Sequence, residues 1–467
     1  MRDALLRRYH ALPPSLRTAV ATLRGGYLRA WRYGPSADRL CDEALDRDRW
    51  TSARWRAWQE ERLAVVLHRA ATRVPFYRDQ WAARRRRGDR ASWELLANWP
   101  VLEKQSLRVT PHAFVADDRE RRRMFHEHTS GTTGASLDVW LARATVREWY
   151  ALFEARARRW YGVSRRDRWA IVGGQLVVPA AQDRPPFWVW NAALRQLYLS
   201  AYHLAPRHTA AYVAALHRHG VRHLLGYPSA LHALARGVLD AGLAPPPLAV
   251  VVTNAEPLLA HQREAIAAAF GCPVRETYGM AELVTAASEC EHGRLHLWPE
   301  VGWPDIEPDA TADGAGALVC TGLLNADMPL VRYRVGDRGT LAAEGASCAC
   351  GRALPELAAV DGRSDDVLYT ADGRVVGRLD PVFKSGAALR EAQIVQEALD
   401  RIRVRYVPGV GFGAADAASL VERLRDRMGP VQVVLEEVPA IARTANGKFR
   451  AVVCQLSAEE RRRVEAP

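Results

Sequence analysis

The sequence predicts an α/β protein with a large N-terminal domain, built of mostly parallel sheets and a barrel-like portion, followed by a small mobile α+β domain. The 467 residues are too many for one typical domain. Apolar runs rich in β-branched residues alternate with helix-period segments up to about residue 330. From about residue 294 glycines and short strands dominate. We therefore place the N-terminal domain at residues 1–362, with a helical arm at 1–60, and a C-terminal lid domain at 363–467.

The first hundred residues predict helices. Residues 55–85 carry apolar side chains at three- and four-residue spacing. The first 34 residues are interrupted by arginine and proline and lack the apolar region of a secretory signal. They predict a helical arm packed on the main domain, with a transit peptide or a membrane-surface helix as alternatives. No run approaches the roughly 20 apolar residues that span a bilayer, so we expect no stable membrane insertion.

Strand and helix patterns then alternate as in βαβ units. A helix ends at Gly220, the strand 221–227 follows, and Pro228 begins the next helix. The apolar run 248–256 is typical of a buried parallel strand. A helix and the strand 273–279 come after it, and this spacing predicts a mostly parallel sheet.

The last third predicts antiparallel strands and then a separate small domain. Short strands lie within 316–341. After the polar segment 361–366 the pattern gives a hairpin turning at Asp372–Gly373, a helix near 389–400, a helix near 417–428 and a strand at 431–438.

Composition limits the classes of partner. The net charge is +12, but the positive charge is nearly all arginine spread along the chain, so we expect no nucleic-acid partner. The only lysines are Lys104, Lys384 and Lys448. The seven cysteines do not form a disulfide framework, which predicts a cytoplasmic location.

A glycine- and hydroxyl-rich loop follows a predicted strand at 122–128. Its glycines allow close backbone approach, and its N–H and hydroxyl groups are suited to phosphate oxygens. The residues of this loop are Thr129, Ser130, Gly131, Thr132, Thr133 and Gly134. A Walker loop requires Gly-Lys-Ser/Thr at its end, but here Ala135 and Ser136 follow Gly134.

Four motifs in order identify a family. They are TSGTTG at 129–134, TYGMAE at 277–282, RYRVGDRG at 332–339 and RTANGKFR at 443–450. With TNAEPL at 253–258 and DGRSDD at 361–366, they make the chain resemble the adenylate-forming superfamily of acyl-CoA synthetases. It is most similar to the phenylacetate–CoA ligase branch, and within it to capsular-polysaccharide-type members. The resemblance runs from about residue 60 to the end.

The resemblance implies a role for each matching residue. The loop 129–134 holds the β- and γ-phosphates of ATP, and we count Thr133 as catalytic. The adenine and ribose side is lined by residues of two further motifs, namely Asn254, Ala255, Glu256, Tyr278 and Gly279. Glu282 binds Mg²⁺, a cation that prefers carboxylate and phosphate oxygens. Family members often have lysine where this chain has Ala135.

The remaining implied residues bind the ribose, form the hinge or neutralise negative charge that develops during the reaction. Asp337 accepts hydrogen bonds from the ribose hydroxyls, Arg363 reaches the same region, and Asp365 lies at the hinge. Lys448 neutralises charge that develops at the substrate carboxylate and the α-phosphate. The small domain then rotates for the second step.

The resemblance thus implies an ATP-dependent enzyme with Mg²⁺ that converts an aryl or other carboxylic acid to acyl-AMP and pyrophosphate. Transfer to CoA is the expected second step. Transfer to an amine or other nucleophile in a biosynthetic pathway is an alternative, and so is a non-catalytic nucleotide-binding homologue. The sequence is also compatible with a homodimer.

In segment 172–200, Trp188, Trp190 and Tyr198 form either an aromatic wall of the acyl pocket or ordinary core.

Two short clusters about 50 residues apart offer metal ligands. Cys290, Cys348 and Cys350 with one histidine make a Cys₃His set, which suits a structural Zn²⁺. His296 is the expected fourth ligand and His292 the competitor. Some members of the phenylacetate–CoA ligase branch carry such a site. The alternative is three reduced cysteines without metal.

Overall fold

The computed structural model describes residues 2–128, 137–179, 181–308, 314–343, 345, 347–363, 368–370, 375–376, 389–443, 449–457 and 459–461. The predicted phosphate loop at 129–134, Ala135, the hinge residue Asp365, the Asp372–Gly373 turn and Lys448 lie outside these residues.

The described helices are α1 (Arg2–His10), α2 (Pro14–Arg32), α3 (Ala37–Arg47), α4 (Ser52–Arg73), α5 (Pro75–Arg86), α6 (Lys104–Val109), α7 (Arg143–Ala157), α8 (Thr209–Arg218), α9 (Pro228–Asp240), α10 (Ala260–Phe270) and α11 (Ala414–Met428). The strands are β1 (Phe125–His128), β2 (Asp138–Leu141), β3 (Trp169–Gly173), β4 (Trp188–Asn191), β5 (Gln196–Ser200), β6 (His223–Gly226), β7 (Val250–Thr253), β8 (Val274–Gly279), β9 (Ala286–Glu289), β10 (Leu295–Leu297), β11 (Gly302–Pro308), β12 (Ala315–Gly322), β13 (Tyr333–Leu341), β14 (Leu357–Arg363), β15 (Leu368–Tyr369), β16 (Val375–Val376), β17 (Leu389–Ala398), β18 (Arg401–Pro408), β19 (Gln432–Glu437) and β20 (Val452–Cys454).

The N-terminal helices dock on the main sheet. Helix α2 begins with Pro14, whose fixed φ suits a first helical turn. It approaches β4 and the turn after it at Gly25, where an added Cβ would lie 2.0 Å from the Asn191 Oδ1 atom. Glycine is therefore required for this close approach.

An eight-stranded sheet forms the centre of the molecule, in the order β10-β9-β8-β7-β6-β3-β5-β4. Strands β5, β3, β6, β7 and β8 run parallel, which confirms the predicted βαβ units. Val251, Leu197 and Leu224 are fully buried, consistent with apolar strands that are covered on both faces. Near the two edges of the sheet the pairing is antiparallel: β4 pairs with β5, and β9 pairs with β8 and β10.

The predicted antiparallel portion is a four-stranded sheet in the order β11-β12-β13-β14. Strand β13 carries the RYRVGDRG motif and lies between β12 and β14. Its register places Asp337 opposite Arg363.

The C-terminal part contains a mixed sheet, β19-β18-β17-β20, with α11 packed on it. The helix predicted near 389–400 is wrong, because those residues form β17. Leu, Glu, Gln and Ala favour helix in isolation. Pairing with β18 on one side and β20 on the other overrides that preference, and Gln396 is fully buried with both amide atoms bonded to the Tyr369 backbone.

A buried ion cluster ties the arm to the main domain. Arg156 on α7 is fully buried and donates to Asp48 at 2.9 Å and to Glu300 at 2.7 Å. Arg47 at the end of α3 also donates to Glu300, at 2.9 Å. Burial alone would raise the pKa of Glu300, but Arg156 and Arg47 hold it below its usual value.

None of the helices in the described part of the chain combines the length and apolar character needed to cross a bilayer.

Candidate nucleotide-binding site

Two of the sequence motifs meet where neighbouring strands of the central sheet reach their carboxyl-terminal ends. Strands β7 and β8 are parallel neighbours, and Thr253 lies opposite Glu276. The Thr277 hydroxyl donates to the Thr253 carbonyl oxygen at 2.8 Å. The turn at 254–256 and the start of the TYGMAE motif therefore lie side by side, where ligands bind in open α/β sheets.

Tyr278 connects this edge to the antiparallel sheet. Its hydroxyl donates to the Asp337 Oδ2 atom at 2.8 Å. Burial and the nearby Asp337 carboxylate raise the pKa of Tyr278 well above its ordinary value, so the phenol stays protonated and donates. The structure thus brings together two residues that the sequence assigned separately to the nucleotide.

Glu282 lies in the same cluster. It is buried, with 7% of its surface exposed, and its Oε1 atom accepts a hydrogen bond of 3.0 Å from the fully buried Tyr333 hydroxyl. Burial and the Glu282 and Asp337 carboxylates raise the pKa of Tyr333. Glu282 and Asp337 therefore both lie close enough to Tyr333 to raise the pKa of its hydroxyl. Tyr333 lies in the RYRVGDRG motif, but the motif alone predicted no role for it.

The turn after β7 has an uncommon backbone. Ala255 has φ of +66°, a conformation that costs a non-glycine residue energy. The Asn254 N–H donates to the Gly226 carbonyl oxygen at 3.1 Å. Among the described residues, the buried Asn254 Oδ1 atom has no hydrogen-bond partner. This turn thus presents an unused acceptor at the sheet edge.

Glu256 has a different environment from the one expected of a residue lining the nucleotide. Its carboxylate accepts from the backbone N–H of Ser229, in the first turn of α9, at 3.1 Å. It also accepts from the backbone N–H of Phe449 at 2.6 Å. Burial raises the pKa of Glu256, and these hydrogen bonds oppose the rise. Glu256 therefore joins the turn to the tail segment in which Phe449 directly follows Lys448.

Two glycines of the motifs differ in what they require. A Cβ at Gly279 would meet Trp149 at 3.7 Å, an ordinary contact, so protein packing alone does not demand glycine there. Gly336 has φ of +81°, and a Cβ there would lie 3.0 Å from the Lys104 Nζ atom. Lys104 thus borders the strand that carries Asp337. The scarcity of lysine was the only sequence signal for it.

A large cavity lies between the N-terminal arm and the central sheet. Its volume is about 1590 Å³, and its lining includes Tyr9, Leu28, Trp149, Ile171 and Tyr198. Trp149 lies near the TYGMAE motif, 3.7 Å from where a Cβ on Gly279 would be. The cavity therefore adjoins the nucleotide motifs.

The predicted aromatic wall of the acyl pocket is only partly present at this cavity. Tyr198 lines it, but Trp188 and Trp190 do not. Trp188 packs edge-on against Tyr212, and Trp190 stacks on His219 at 4.8 Å. These two tryptophans belong to the packing beside the sheet.

The three predicted cysteines and one histidine converge. Ligand atoms of Cys290, His296, Cys348 and Cys350 all lie within 4.8 Å of one another. The Cys290 and Cys348 sulfurs are 3.7 Å apart, and the Cys350 sulfur lies 3.3 Å from His296 Nε2. His292 is exposed and outside this group. His296 faces inward because β10 pairs with β9 and bridges to Glu356.

Family comparisons agree with this geometry. The model of AMP-binding enzymes matches residues 55–319, more than half of the chain, and the model of the CapK C-terminal domain matches residues 368–455. The chain belongs to the AMP-binding enzyme family. The family predicted from the motifs is confirmed, and the protein is an adenylate-forming enzyme of the acid–CoA ligase-like type.

Curated relatives of this AMP-binding enzyme include Protein CapK of Staphylococcus aureus, 26% identical over 343 residues that cover 70% of this chain and 72% of the relative. Phenylacetate-coenzyme A ligase of Thermus thermophilus is 28% identical over 342 residues, covering 67% of this chain and 71% of the relative. Among solved structures, a 2-hydroxyisobutyryl-CoA ligase in the postadenylation state with R3-HIB-AMP aligns with a TM-score of 0.66 at 22% identity, covering 90% of this chain and 93% of that one. The predicted fold class is thereby confirmed.

The Tyr278–Asp337 pair offers a test of nucleotide binding in this AMP-binding enzyme. We expect Asp337→Asn to weaken AMP binding by about 10- to 100-fold, because a charged acceptor for hydroxyl donors is replaced by a neutral one. Isothermal titration with AMP measures the change. Asp305→Asn, at an exposed position in the same antiparallel sheet, is the matched control and should bind like wild type. Equal affinity of Asp337→Asn and wild type would contradict the assignment.

Proposed function

We propose that this enzyme activates a carboxylic acid with ATP, forming acyl-AMP and pyrophosphate, and then transfers the acyl group to CoA. The observation that carries the proposal is the cluster of Tyr278, Glu282, Tyr333 and Asp337 beside the 254–256 turn. Two carboxylates at a sheet edge, each hydrogen-bonded to a protonated phenol, suit one ribose and one hard cation.

In this proposal a different protein group binds the adenine, the ribose and the phosphates of the nucleotide. The unpartnered Asn254 Oδ1 atom accepts from the adenine amino group. Asp337 accepts from the ribose hydroxyls, and Arg363 lies opposite it in the strand register. The loop at Thr129–Gly134, including Thr133, donates to the phosphates. Glu282 would hold Mg²⁺, because its buried carboxylate with a hydroxyl partner fits such a ligand. Mg²⁺, when bound, neutralises phosphate charge.

The reaction needs positioning and charge stabilisation rather than a covalent nucleophile. A carboxylate oxygen of the substrate bonds to the α-phosphorus while the bond from that phosphorus to the bridging oxygen breaks, and pyrophosphate leaves. Lys448 offsets the negative charge that develops at this centre. In the second step the CoA thiolate attacks the acyl carbon, the bond to the phosphate oxygen breaks, and AMP leaves.

The acid lies in the cavity next to Trp149 and Tyr198 in this proposal. That cavity exceeds the roughly 300–1,000 Å³ typical of sites for drug-sized ligands, which favours an acid with an extended body.

We also propose that the boundary between the two domains lies after residue 362, and that the small domain rotates near Asp365 between the two steps. We also propose a cytoplasmic location, because none of the seven cysteines forms a disulfide in the described structure.

Pyrophosphate release across a panel of aryl and long-chain acids, with and without CoA, tests the function. We expect at least one acid to give ATP-dependent release and a thioester when CoA is added. A product that forms with an amine but not with CoA would show that the second step is acyl transfer to an amine. No release with any acid, alongside normal AMP binding, would favour a non-catalytic nucleotide-binding protein.

We further propose that Cys290, His296, Cys348 and Cys350 hold a structural Zn²⁺. Three thiols and an imidazole whose ligand atoms lie within 4.8 Å of one another are a donor set that zinc prefers. Wild type should then contain about one zinc per chain, and Cys348→Ser should lose most of it and melt at a lower temperature. Elemental analysis of purified protein gives the metal content. Cys454→Ser, a cysteine far along the chain in β20, should keep it, and metal-free wild type would contradict the site.

A further inference from the structure

Helices α1 and α2 expose an apolar stripe that the nucleotide chemistry does not explain. Leu16, Val20, Leu23 and Tyr27 are 50%, 41%, 77% and 55% exposed. Their spacing of four, three and four residues places them on one face of α2. Leu5 on α1 adds a further side chain that is 59% exposed. Of the ten large apolar side chains that are exposed in the described part of the chain, five lie within the first 27 residues.

Other positions of α2 fix the helix to the protein. Gly25 lies against Asn191, and the buried Arg17 donates to the Gln182 Oε1 atom at 3.0 Å. At the end of the helix, one turn after Tyr27, Trp31 is buried and packs against Phe125 with ring centroids 5.5 Å apart. The stripe is therefore held outward on a docked helix rather than left on a loose end.

The same segment carries concentrated positive charge. Residues 1–34 contain seven arginines and one acidic residue, Asp3, so this short arm holds half of the net charge of +12. Arg7, Arg8 and Arg24 are exposed, and none of them forms an ion pair within the described residues. The arm also lies before residue 55, where the match to AMP-binding enzymes begins.

We propose that this face of the arm binds the surface of a membrane containing anionic phospholipids. A helix with an apolar stripe flanked by arginine lies in the plane of the interface, with the apolar side chains among the acyl chains and the guanidinium groups at the phosphates. Charge complementarity selects an anionic bilayer over a neutral one. Leu5 and Val20 also line the cavity beneath the arm, so the bound face adjoins the cavity mouth.

Flotation of the full-length protein with lipid vesicles tests this binding. Vesicles of phosphatidylcholine with phosphatidylglycerol should bind wild type at least about tenfold better than pure phosphatidylcholine, and about 0.5 M salt should remove most of that difference. The double variant Leu23→Glu/Tyr27→Glu should lose at least about tenfold in affinity. Leu95→Glu, at a position 62% exposed on the main domain, is the matched control and should bind like wild type.

Hydrogen exchange on wild type makes the result independent of variant folding. Anionic vesicles should slow exchange in residues 14–32 more than elsewhere. Equal binding to neutral and anionic vesicles, or no protection of the arm, would overturn the proposal. A wild-type dimer that Leu23→Glu/Tyr27→Glu converts to monomer would also overturn it, because a second copy would then cover the stripe. ATP-dependent pyrophosphate release does not enter any of these readouts.

Discussion

Lys448→Ala is expected to lower the rate of pyrophosphate release by about 10²- to 10³-fold, the loss typical of removing one group that stabilises transition-state charge. AMP affinity should change much less, because the ammonium acts on charge that develops during the reaction rather than on the nucleoside. Release is measured under saturating ATP with an acid that wild type uses. The contact of Phe449 with Glu256 supports a position of this tail beside the 254–256 turn.

Two further variants sharpen this result. Lys448→Arg should recover little activity, because a planar guanidinium does not replace a compact ammonium. Lys384→Ala is the control, since Lys384 is the other lysine of the proposed lid domain. If Lys448→Ala released pyrophosphate at the wild-type rate, Lys448 would not contribute to the adenylation step.

Arg156→Met is expected to lower the free energy of unfolding by about 3–5 kcal/mol, because it leaves the buried Asp48 carboxylate without its cation and leaves Glu300 with Arg47 alone. Arg156 is fully buried and bonds to both Asp48 and Glu300. Urea denaturation, monitored by tryptophan fluorescence, measures the change. Arg236→Met breaks a pair with Asp240 in which both side chains are exposed, so it should cost only about 0–1 kcal/mol. Similar losses in the two variants would contradict the role of the buried cluster.

The fold was predictable wherever local pattern and tertiary environment agree. The buried parallel strand β7 reads as a continuous run of valine, and helix α9 begins at a proline, so both were evident. The segment Leu389–Ala398 was not, because its helix-forming side chains are held in a strand by neighbours on both sides. Pairing partners that lie far along the chain leave no trace in local propensity.

The candidate site shows the same division. Motifs named Tyr278, Glu282 and Asp337, but the hydrogen bond between Tyr278 and Asp337 joins residues 59 positions apart. Glu256 was assigned to the nucleotide side, whereas its oxygens bind two backbone N–H groups from distant segments. The choice of His296 over His292 depends on strand pairing that spacing alone could not fix.

A crystal structure of the protein with AMP and Mg²⁺ tests most directly whether these groups surround one mononucleotide. We predict the adenine amino group at Asn254, the ribose hydroxyls at Asp337, and the phosphate directed toward residues 129–134 and Glu282. AMP bound on another surface, with Asp337 and Glu282 making no contact to it in any orientation of the C-terminal domain, would contradict the central claim.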